Sequence, residues 1–245
     1  MKRSFGSIVR EVITQSDVVV QVIDARLFDL TRNEELERLV VLADKRLIFA
    51  VNKCDLVDKD WLEHKCKSLP NSVFVSSTKK LGFSILREMI YKVAAKSKQS
   101  EDDIKVGVIG YPNVGKSSVI NGLKGRMSAS VGARSGHTKG KQLVRVTNRI
   151  MLVDTPGVIP IDNTDPIRLA LLASKNPDQL KMPDLVAEEI LAMVSNPILE
   201  SIYGATTLEE IAMKRGKLIK GGEPDINTIS RVIILDWQKG KLPLK

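Results

Sequence analysis

The sequence predicts an α/β fold, a doubly wound parallel sheet followed by a small all-α domain. Up to residue 160, apolar runs typical of buried strands alternate with amphipathic helical segments, a pattern of parallel sheets covered on both faces. A glycine-rich loop directly follows one of these strands, where such sheets bind ligands. After Pro160 helical spacing dominates and prolines punctuate the chain, so we divide it into residues 1–163 and 164–245.

Hydrophobic periodicity predicts each element in turn. An amphipathic helix is expected at 4–16, because five apolar side chains fall on one helical face: Phe5, Ile8, Val9, Val12 and Ile13. Apolar runs predict buried strands at 18–23, 47–51 and 73–75, with a loop at 25–31 and helices at 32–44 and 58–68 between them. A helix at 83–97 and a polar linker at 96–103 lead to a strand at 104–109, a helix from 117, and two adjacent strands at 142–147 and 150–153. Helical spacing then predicts helices at 165–174, 183–194, 207–215 and 226–238, although the run at 232–235 also fits a strand.

The composition is that of a globular protein, with 43% hydrophobic and 27% charged residues among 245. The chain has no apolar run near the roughly 20 residues that span a bilayer, and its start lacks the apolar segment of a secretory signal. We therefore expect a cytoplasmic monomer without membrane contact. The two cysteines, Cys54 and Cys66, have neither redox nor zinc spacing and are expected to be reduced thiols.

The net charge of +9 is concentrated in one stretch of the chain. Residues 104–153 contain nine Lys and Arg and no Asp or Glu, whereas residues 1–103 carry +2 and residues 154–245 carry −2. A polyanionic partner such as RNA would explain this excess. A site for a highly charged nucleotide would explain it equally well, so charge alone leaves both explanations open.

The glycine-rich loop fits the phosphate-binding pattern G-x-x-x-x-G-K-[ST] over residues 110–117. A strand, a glycine turn and a helix N-terminus aim backbone N–H groups at one point. We expect phosphate contacts from the loop and the first helical turn: Gly110, Asn113, Val114, Gly115, Lys116, Ser117 and Ser118. In this arrangement the Lys116 ammonium lies beside the β- and γ-phosphates, and the Ser117 hydroxyl is a ligand of Mg²⁺.

A second motif, Asn52-Lys53-Cys54-Asp55, directly follows the strand at 47–51 and favours a guanine base. The Asp55 carboxylate would accept hydrogen bonds from N1–H and the 2-amino group of guanine, whereas adenine offers neither donor. Asn52 would tie the loop together and bond to N7, and the Lys53 stem would cover the face of the base. Ser76, Ser77 and Thr78, after the strand at 73–75, would offer backbone N–H groups to guanine O6.

A third motif, Asp154-Thr155-Pro156-Gly157, follows the strand at 150–153. Asp154 would hold Mg²⁺ through a water, and the Gly157 N–H would meet the γ-phosphate, so that loss of this phosphate releases the loop. The basic loop at 128–141 would add the Thr138 hydroxyl as a further Mg²⁺ ligand. A plain turn and an ordinary basic loop explain these two stretches about as well.

Together these motifs resemble those of a translation-factor-class GTPase, in an unusual order. N-K-C-D (52–55) and S-S-T (76–78) precede the loop at 110–117, Thr138 and D-T-P-G (154–157), which resembles the circularly permuted ribosome-assembly GTPases of the YlqF/YawG type. D-A-R at 24–26 resembles a signature of that family. K-R-G-K at 214–217, with G-G-E-P-D at 221–225, resembles its helical RNA-associated domain. The resemblance implies a circularly permuted P-loop GTPase sheet at 1–163 and a helical RNA- or ribosome-associated domain at 164–245.

The resemblance also implies cofactors and catalytic residues. GTP or GDP would bind with Mg²⁺ on Ser117, Thr138 and Asp154, and Asn113 matches an asparagine that helps related GTPases to bind K⁺. Val158 and Ile159 stand where many GTPases have a water-orienting glutamine, which implies slow intrinsic turnover. Catalysis would then rest on Lys116, Thr138, Asn113 and Gly157. The family's catalytic histidine has no counterpart in residues 1–63, and His137 is more typical of an ordinary loop residue.

The function we expect is therefore a Mg²⁺-dependent GTPase that binds a ribosomal subunit or its precursor, contacts rRNA, and times its release by hydrolysis. A basic cluster in the C-terminal part, Lys214, Arg215, Lys217 and Lys220, would grip RNA phosphates. Two alternatives remain open: a GTP-gated switch acting on a protein effector, and a nucleotide-binding scaffold with negligible turnover. Asp55 disfavours an ATPase.

Overall fold

The computed structural model describes residues 5–96, 102–124, 143–153, 166–172 and 176–244. These residues divide into two compact units, one drawn from residues 1–54 and 62–160 and the other from residues 55–61 and 161–245. The division of the chain after residue 163 into two functional domains stays a prediction.

Six strands of the described chain form one sheet in the first unit. They are β1 (Val18–Asp24), β2 (Arg46–Asn52), β3 (Ser72–Phe74), β4 (Ile104–Ile109), β5 (Leu143–Arg145) and β6 (Ile150–Val153). Their order across the sheet is β3-β2-β1-β4-β6-β5, with parallel neighbours except for the edge strand β5, which is antiparallel to β6. In register, Val18 lies opposite Arg46 on one side and Val106 on the other, so β1 is central.

Helices cover both faces of this sheet. They are α1 (Phe5–Gln15), α2 (Phe28–Thr31), α3 (Glu34–Leu42), α4 (Lys59–Cys66), α5 (Phe83–Ala94) and α6 (Lys116–Lys124), of which α4 begins in the second unit. Alternate residues of β1 enter different cores: Val18, Val20 and Val22 pack with side chains of α5 and α6, whereas Val19 packs with those of α1 and α3. Burial on both faces explains why the strands read as uninterrupted apolar runs, and the predicted doubly wound sheet is confirmed.

The stretch at 25–31 differs from the predicted loop, because it forms a 3₁₀ turn at Ala25–Leu27 followed by α2. Local polar contacts build it. The Asp24 carboxylate accepts from the Arg26 amide at 3.1 Å, and the Thr31 hydroxyl donates to the Leu27 carbonyl at 2.8 Å. Such bonds leave no hydrophobic period in the sequence, so periodicity could not predict the helix.

The second unit is helical in its described residues. It contains α7 (Pro166–Leu171), a 3₁₀ turn at Pro177–Gln179, α8 (Pro183–Met193), α9 (Asn196–Tyr203), α10 (Leu208–Lys214) and α11 (Ile226–Gln238), as well as the 3₁₀ turn Cys54–Leu56 that starts in the first unit. α11 packs against α8, and its fully buried Trp237 donates from Nε1 to the Leu171 carbonyl at 3.1 Å. The ambiguous run at 232–235 is thus helical, because a partner helix covers its apolar face.

Helix α9 is absent from the predicted elements, because Pro197 is one of the prolines whose spacing predicts breaks between helices. Proline is tolerated in the first turn of a helix, where its missing N–H would have no intrahelical partner. Ser195 precedes the helix in extended conformation, and Gly204 ends it with φ 75°. Among the described residues, no helix is long and apolar enough to cross a membrane.

We predict that Gln21→Met stabilises the first unit. Gln21 is fully buried in central strand β1, and neither polar atom of its amide has a hydrogen-bond partner in the described part of the chain. Methionine keeps the side-chain length and removes the desolvated amide, so the free energy of unfolding should rise by about 1–2 kcal/mol. Urea unfolding would measure this. Gln15→Met is the matched control, because the half-buried Gln15 amide has Glu11 as its partner at 3.1 Å. A fall in stability for Gln21→Met would contradict the interpretation.

Candidate functional site

The glycine-rich loop at 110–117 lies where β4 ends and α6 begins, at the carboxyl edge of the sheet. The chain runs outward from β1 through β2 to β3 on one side, and β4, β6 and β5 occupy the other, so β1 and β4 flank the point at which the strand order reverses. Doubly wound sheets bind ligands in the crevice at this point. Both the predicted phosphate loop and Asp24, the last residue of β1, therefore lie at its rim.

Two residues with positive φ shape the loop, Asn113 at 60° and Gly115 at 97°. A Cβ atom on Gly115 would lie 2.1 Å from Asn52 Nδ2, so only glycine fits. Helix α6 starts at Lys116, and Val119 N–H donates to the Gly115 carbonyl at 2.8 Å. The free amides of the first helical turn are thereby directed toward the loop, an arrangement that suits an anion.

The Asn52 side chain joins three loops of the site. Its Nδ2 donates to the Val114 carbonyl of the glycine-rich loop at 2.9 Å. Its Oδ1 accepts from the Ser77 hydroxyl at 3.0 Å and from the Ser77 amide at 3.3 Å. Asn52 is only 2% exposed, so these bonds are shielded from water. The structure thus brings together three predicted motifs that are far apart in the chain.

The Ser76–Thr78 stretch is held as a small closed turn. Ser76 N–H donates to the Leu81 carbonyl at 3.1 Å, and Leu81 N–H returns to the Ser76 carbonyl at 3.0 Å. With the Ser77 amide bonded to Asn52, Thr78 is the member of this stretch whose amide has no hydrogen bond among the described residues. Thr78 is exposed, so its N–H is available to a ligand.

Lys116 is held inside the loop that precedes it. Its Nζ donates to the Tyr111 carbonyl at 2.6 Å, and the Tyr111 hydroxyl in turn accepts from Asn33 Nδ2 at 3.2 Å. Burial lowers the pKa of Lys116 to about 8. A carbonyl oxygen offsets this desolvation only in part, whereas an anionic ligand would restore the pKa of the ammonium.

A buried ionic cluster lies at the end of β1. The sequence predicted a role for its Lys53 but none for Asp24 and Arg26. Asp24 is 3% exposed and Arg26 is 6% exposed. Asp24 Oδ1 accepts from the Arg26 amide and Nε, while Oδ2 accepts from Arg26 Nη2 at 3.2 Å and from Lys53 Nζ at 2.6 Å. Burial raises the pKa of Asp24, but the attraction of Arg26 and then of Lys53 outweighs it and holds the pKa below its ordinary value. In the sequence, Asp24 and Arg26 stand out as the D-A-R stretch at 24–26 that resembles a family signature.

Asp55 lies three residues after Asn52 in the chain and belongs to the second unit. Its Oδ1 is buried and has no hydrogen-bond partner in the part of the chain that the structure describes. A buried carboxylate oxygen without a donor is costly, and a guanine base would supply donors to it through N1–H and its 2-amino group. The acceptor that Asp55 provides therefore suits the donors of a guanine base.

Several predicted site residues lie outside the described residues: Thr138, Asp154 and Gly157, together with His137. Of the remaining phosphate-loop residues, Val114 is buried, whereas Ser117 and Ser118 are exposed on the first turn of α6. A Cβ atom on Gly110 would lie 2.7 Å from the Val22 carbonyl, so this residue packs against β1.

The predicted basic cluster in the second unit is only partly available to a ligand. Lys214 Nζ donates to the Gly204 carbonyl, and Arg215 Nη2 donates to the Ile202 carbonyl at 2.8 Å while its guanidinium lies 5.2 Å from the Tyr203 ring centre. These two side chains therefore stabilise the C-terminal end of α9. Lys217 and Lys220, in contrast, lie exposed beside a glycine turn.

Comparison with known proteins is consistent with this geometry. A family model described as "50S ribosome-binding GTPase" matches residues 105–210. An uncharacterized GTP-binding protein of Methanocaldococcus jannaschii is 41% identical over 96% of this chain and 65% of its own length. Nuclear/nucleolar GTPase 2 of Oryza sativa is 36% identical over 99% of this chain and 48% of its own length. The chain thus spans about half to two thirds of the curated relatives it matches.

Two solved structures share the fold. GNP-bound YlqF from T. maritima is 22% identical, with a TM-score of 0.63 over 98% of this chain and 95% of that one. GDP-bound YlqF is 24% identical, with a TM-score of 0.66 over 97% of each chain. The predicted circularly permuted arrangement of the sheet is therefore confirmed at the level of the fold.

We predict that Asn52→Asp lowers the free energy of unfolding by about 1–3 kcal/mol. The substitution removes the donor to the Val114 carbonyl and places two oxygens against each other in a buried position. Urea unfolding without ligand would measure it. Asn71→Asp is the matched control, because Asn71 Nδ2 also donates to a carbonyl, that of Leu47 at 3.2 Å, but Asn71 is exposed. Equal effects of the two variants would show that Asn52 does not hold the loops together.

Proposed function

We propose, because the chain belongs to the circularly permuted GTPases, that it binds GTP, hydrolyses it, and acts as a switch in the assembly of ribosomal subunits. The observation that carries this proposal is the Asn52 side chain, which bonds to both the glycine-rich loop and the Ser76–Thr78 turn. A base-binding loop and a phosphate-binding loop tied together in this way suit a single nucleotide.

For the base, the donors and acceptors favour guanine. Asp55 would accept from N1–H and the 2-amino group, and the orphaned Oδ1 atom supports this. Thr78 N–H would donate to O6, since the amides of Ser76 and Ser77 are already engaged. Adenine would leave the Asp55 carboxylate without donors, which disfavours an ATPase.

For the phosphates, the loop supplies N–H groups and one ammonium. Lys116, already held toward the loop by the Tyr111 carbonyl, would transfer its hydrogen bonds to phosphate oxygens. Ser117, exposed at the start of α6, would be a ligand of Mg²⁺ together with Thr138 and Asp154. Gly157 N–H would meet the γ-phosphate. When bound, Mg²⁺ would neutralise the charge that builds on the phosphate oxygens during transfer.

Hydrolysis by the isolated chain should be slow. Val158 and Ile159 carry no group that orients water, so the positions that often supply this function are apolar. We propose that Asn113, whose φ of 60° places it in the turn of the phosphate loop, helps to hold K⁺. That ion would supply positive charge where other GTPases use an arginine. Lys116, Thr138, Asn113 and Gly157 remain the proposed catalytic residues.

For the partner, we propose the large ribosomal subunit or a precursor of it. The matching family model is described as a 50S ribosome-binding GTPase, and one relative is named a nuclear/nucleolar GTPase. Contact with rRNA phosphates would fall to Lys217 and Lys220, because Lys214 and Arg215 already bond within the second unit. Monomeric state, cytoplasmic location and a helical ribosome-associated domain at 164–245 are parts of the same proposal.

A GTPase assay in potassium buffer with Mg²⁺ tests the proposal. We expect slow hydrolysis by the chain alone, and a rise of at least about tenfold, or 1.4 kcal/mol of barrier, with large ribosomal subunits. Replacing potassium by sodium should lower the rate. GTP binding without hydrolysis under any condition would favour a nucleotide-binding scaffold. If the chain hydrolyses GTP but ribosomal subunits neither bind the chain nor stimulate the reaction, a protein effector would be favoured.

We further predict that affinity for GDP falls as the pH rises above about 8. The free-state pKa of Lys116 is about 8, and bound phosphate raises it, so binding takes up a proton. The contribution of the ammonium to GDP binding is fully present below this pKa and is lost as the pH rises through it. Kd for GDP then rises by up to about tenfold per pH unit. Calorimetry from about pH 7 to about pH 9.5 would measure this window. Lys116→Gln is expected to bind weakly with a flat pH profile, and a flat profile for the unaltered chain would contradict the prediction.

A further inference from the structure

We propose that Asp24 is a positioning residue for nucleotide binding, which holds the Lys53 side chain so that its methylene stem lies against one face of the guanine base. The inference rests on the proposed function in one respect, namely that a guanine nucleotide binds here. It adds a residue that makes no contact with the nucleotide itself. All three members of the cluster, Asp24, Arg26 and Lys53, lie in the first unit.

Asp24 does not depend on Lys53 for its hydrogen bonds. Arg26 alone satisfies the Asp24 carboxylate, with two side-chain bonds and one backbone bond. Lys53 Nζ nevertheless lies 2.6 Å from Asp24 Oδ2, although the Lys53 side chain is 23% exposed and so partly accessible to water. The bond therefore fixes the position of the Lys53 ammonium rather than completing the partners of Asp24.

The conformation of Lys53 is constrained at both ends of the residue. Its backbone has φ 60°, a region that costs a side-chain-bearing residue of this kind roughly 1–3 kcal/mol. Its Nζ is bonded to Asp24 Oδ2 at 2.6 Å, 29 positions earlier in the chain. The two ends of this residue are thus both constrained, the backbone by the end of β2 and the ammonium by the end of β1. The four-carbon stem between them has little freedom left.

A constrained lysine stem lowers the entropic cost of binding a base. A lysine side chain normally loses considerable rotamer freedom when it is ordered by binding. Here Asp24 orders it before the ligand arrives, which lowers the entropic cost of covering the base. The Lys53 side chain is 23% exposed, and it belongs to the motif whose neighbours Asn52 and Asp55 are proposed to meet the base. A partly exposed, pre-ordered apolar stem at this position suits the flat face of a purine.

Arg26 has a supporting part in this arrangement. Its Nε and Nη2 bond to different oxygens of Asp24, which fixes the plane of the carboxylate. The Asp24 amide donates to the Thr31 hydroxyl at 3.0 Å, so the backbone at this point is also held. The acceptor that faces Lys53 is therefore rigid.

Calorimetric titration of the full chain with GDP and with IDP, which lacks the 2-amino group, tests the inference. Asp24→Asn keeps the shape of the carboxylate but loses its charge, so Kd should rise by about tenfold for GDP. Because the face of the base is affected rather than its edge, Kd for IDP should rise by the same factor. Asp55→Asn is the comparison, since loss of an edge contact should change the ratio of the two affinities.

Two further variants separate positioning from general damage. In a Lys53→Met background, Asp24→Asn should raise Kd by no more than about twofold, because the group that Asp24 positions is already absent. Asp103→Asn is the matched control, since it removes an exposed Asp–Arg pair, with Arg145 at 2.9 Å, at the opposite edge of the sheet. The Kd of the Asp103→Asn variant for GDP should not change. Thermal unfolding without nucleotide checks that each variant folds. If Asp24→Asn does not fold, the Lys53→Met variant replaces it, and its Kd must rise by the same factor for GDP and for IDP.

Unchanged GDP binding by Asp24→Asn would overturn the inference, and so would a full effect of Asp24→Asn in the Lys53→Met background. Both outcomes require that the unaltered chain binds GDP, and both leave the proposed function intact. Failure of the unaltered chain to bind GDP would instead overturn the proposed function.

Discussion

The geometry of the candidate site depends on one buried amide. Asn52 ends β2, and its side chain has a donor and an acceptor, which is what a residue needs to join one loop through its carbonyl and another through its hydroxyl and amide. Its neighbours are adjusted to it, since only a glycine at 115 leaves room for its Nδ2 atom. Three chain segments are thereby held at the carboxyl edge of the sheet before any ligand is present.

Charge at this edge is arranged in two different ways. Lys53 meets a buried carboxylate, whose low pKa keeps it ionised, so this lysine is held as an ion pair. Within the described part of the chain, Lys116 meets a carbonyl oxygen and no carboxylate, and burial lowers its pKa. Among the described residues, the same residue type therefore has a counter-charge in one place and none in the other. That difference in electrostatics is the basis for proposing a positioning role for one lysine and a ligand-binding role for the other.

The permuted order of the motifs is possible because a sheet is assembled by neighbours in space. β1 lies between β2 and β4, so strands from the start of the chain and strands from beyond residue 104 complete one layer. Loops that follow parallel strands all lie at the carboxyl edge of the sheet, and this does not depend on the order of the strands along the chain. The motif at 52–55 can then precede the glycine-rich loop at 110–117 without any change in the candidate site. Helices on both faces bury the same strands in either order.

Local patterns in the sequence determined the elements and the motifs. Uninterrupted apolar runs predicted β1, β2 and β4, because burial on both faces demands them, and loop chemistry singled out residues 52–55 and 110–117. Tertiary structure alone decided the contacts between segments far apart in the chain: the bond from Asn52 to Val114, the pairing of Asp24 with Lys53, and the engagement of Lys214 and Arg215 within the helical unit. Neither α2 nor α9 was predicted, because polar local bonds build α2 and the proline in the first turn of α9 resembles a break between helices. A sequence shows what a side chain can offer, but its partner depends on which strand ends the folded sheet brings together.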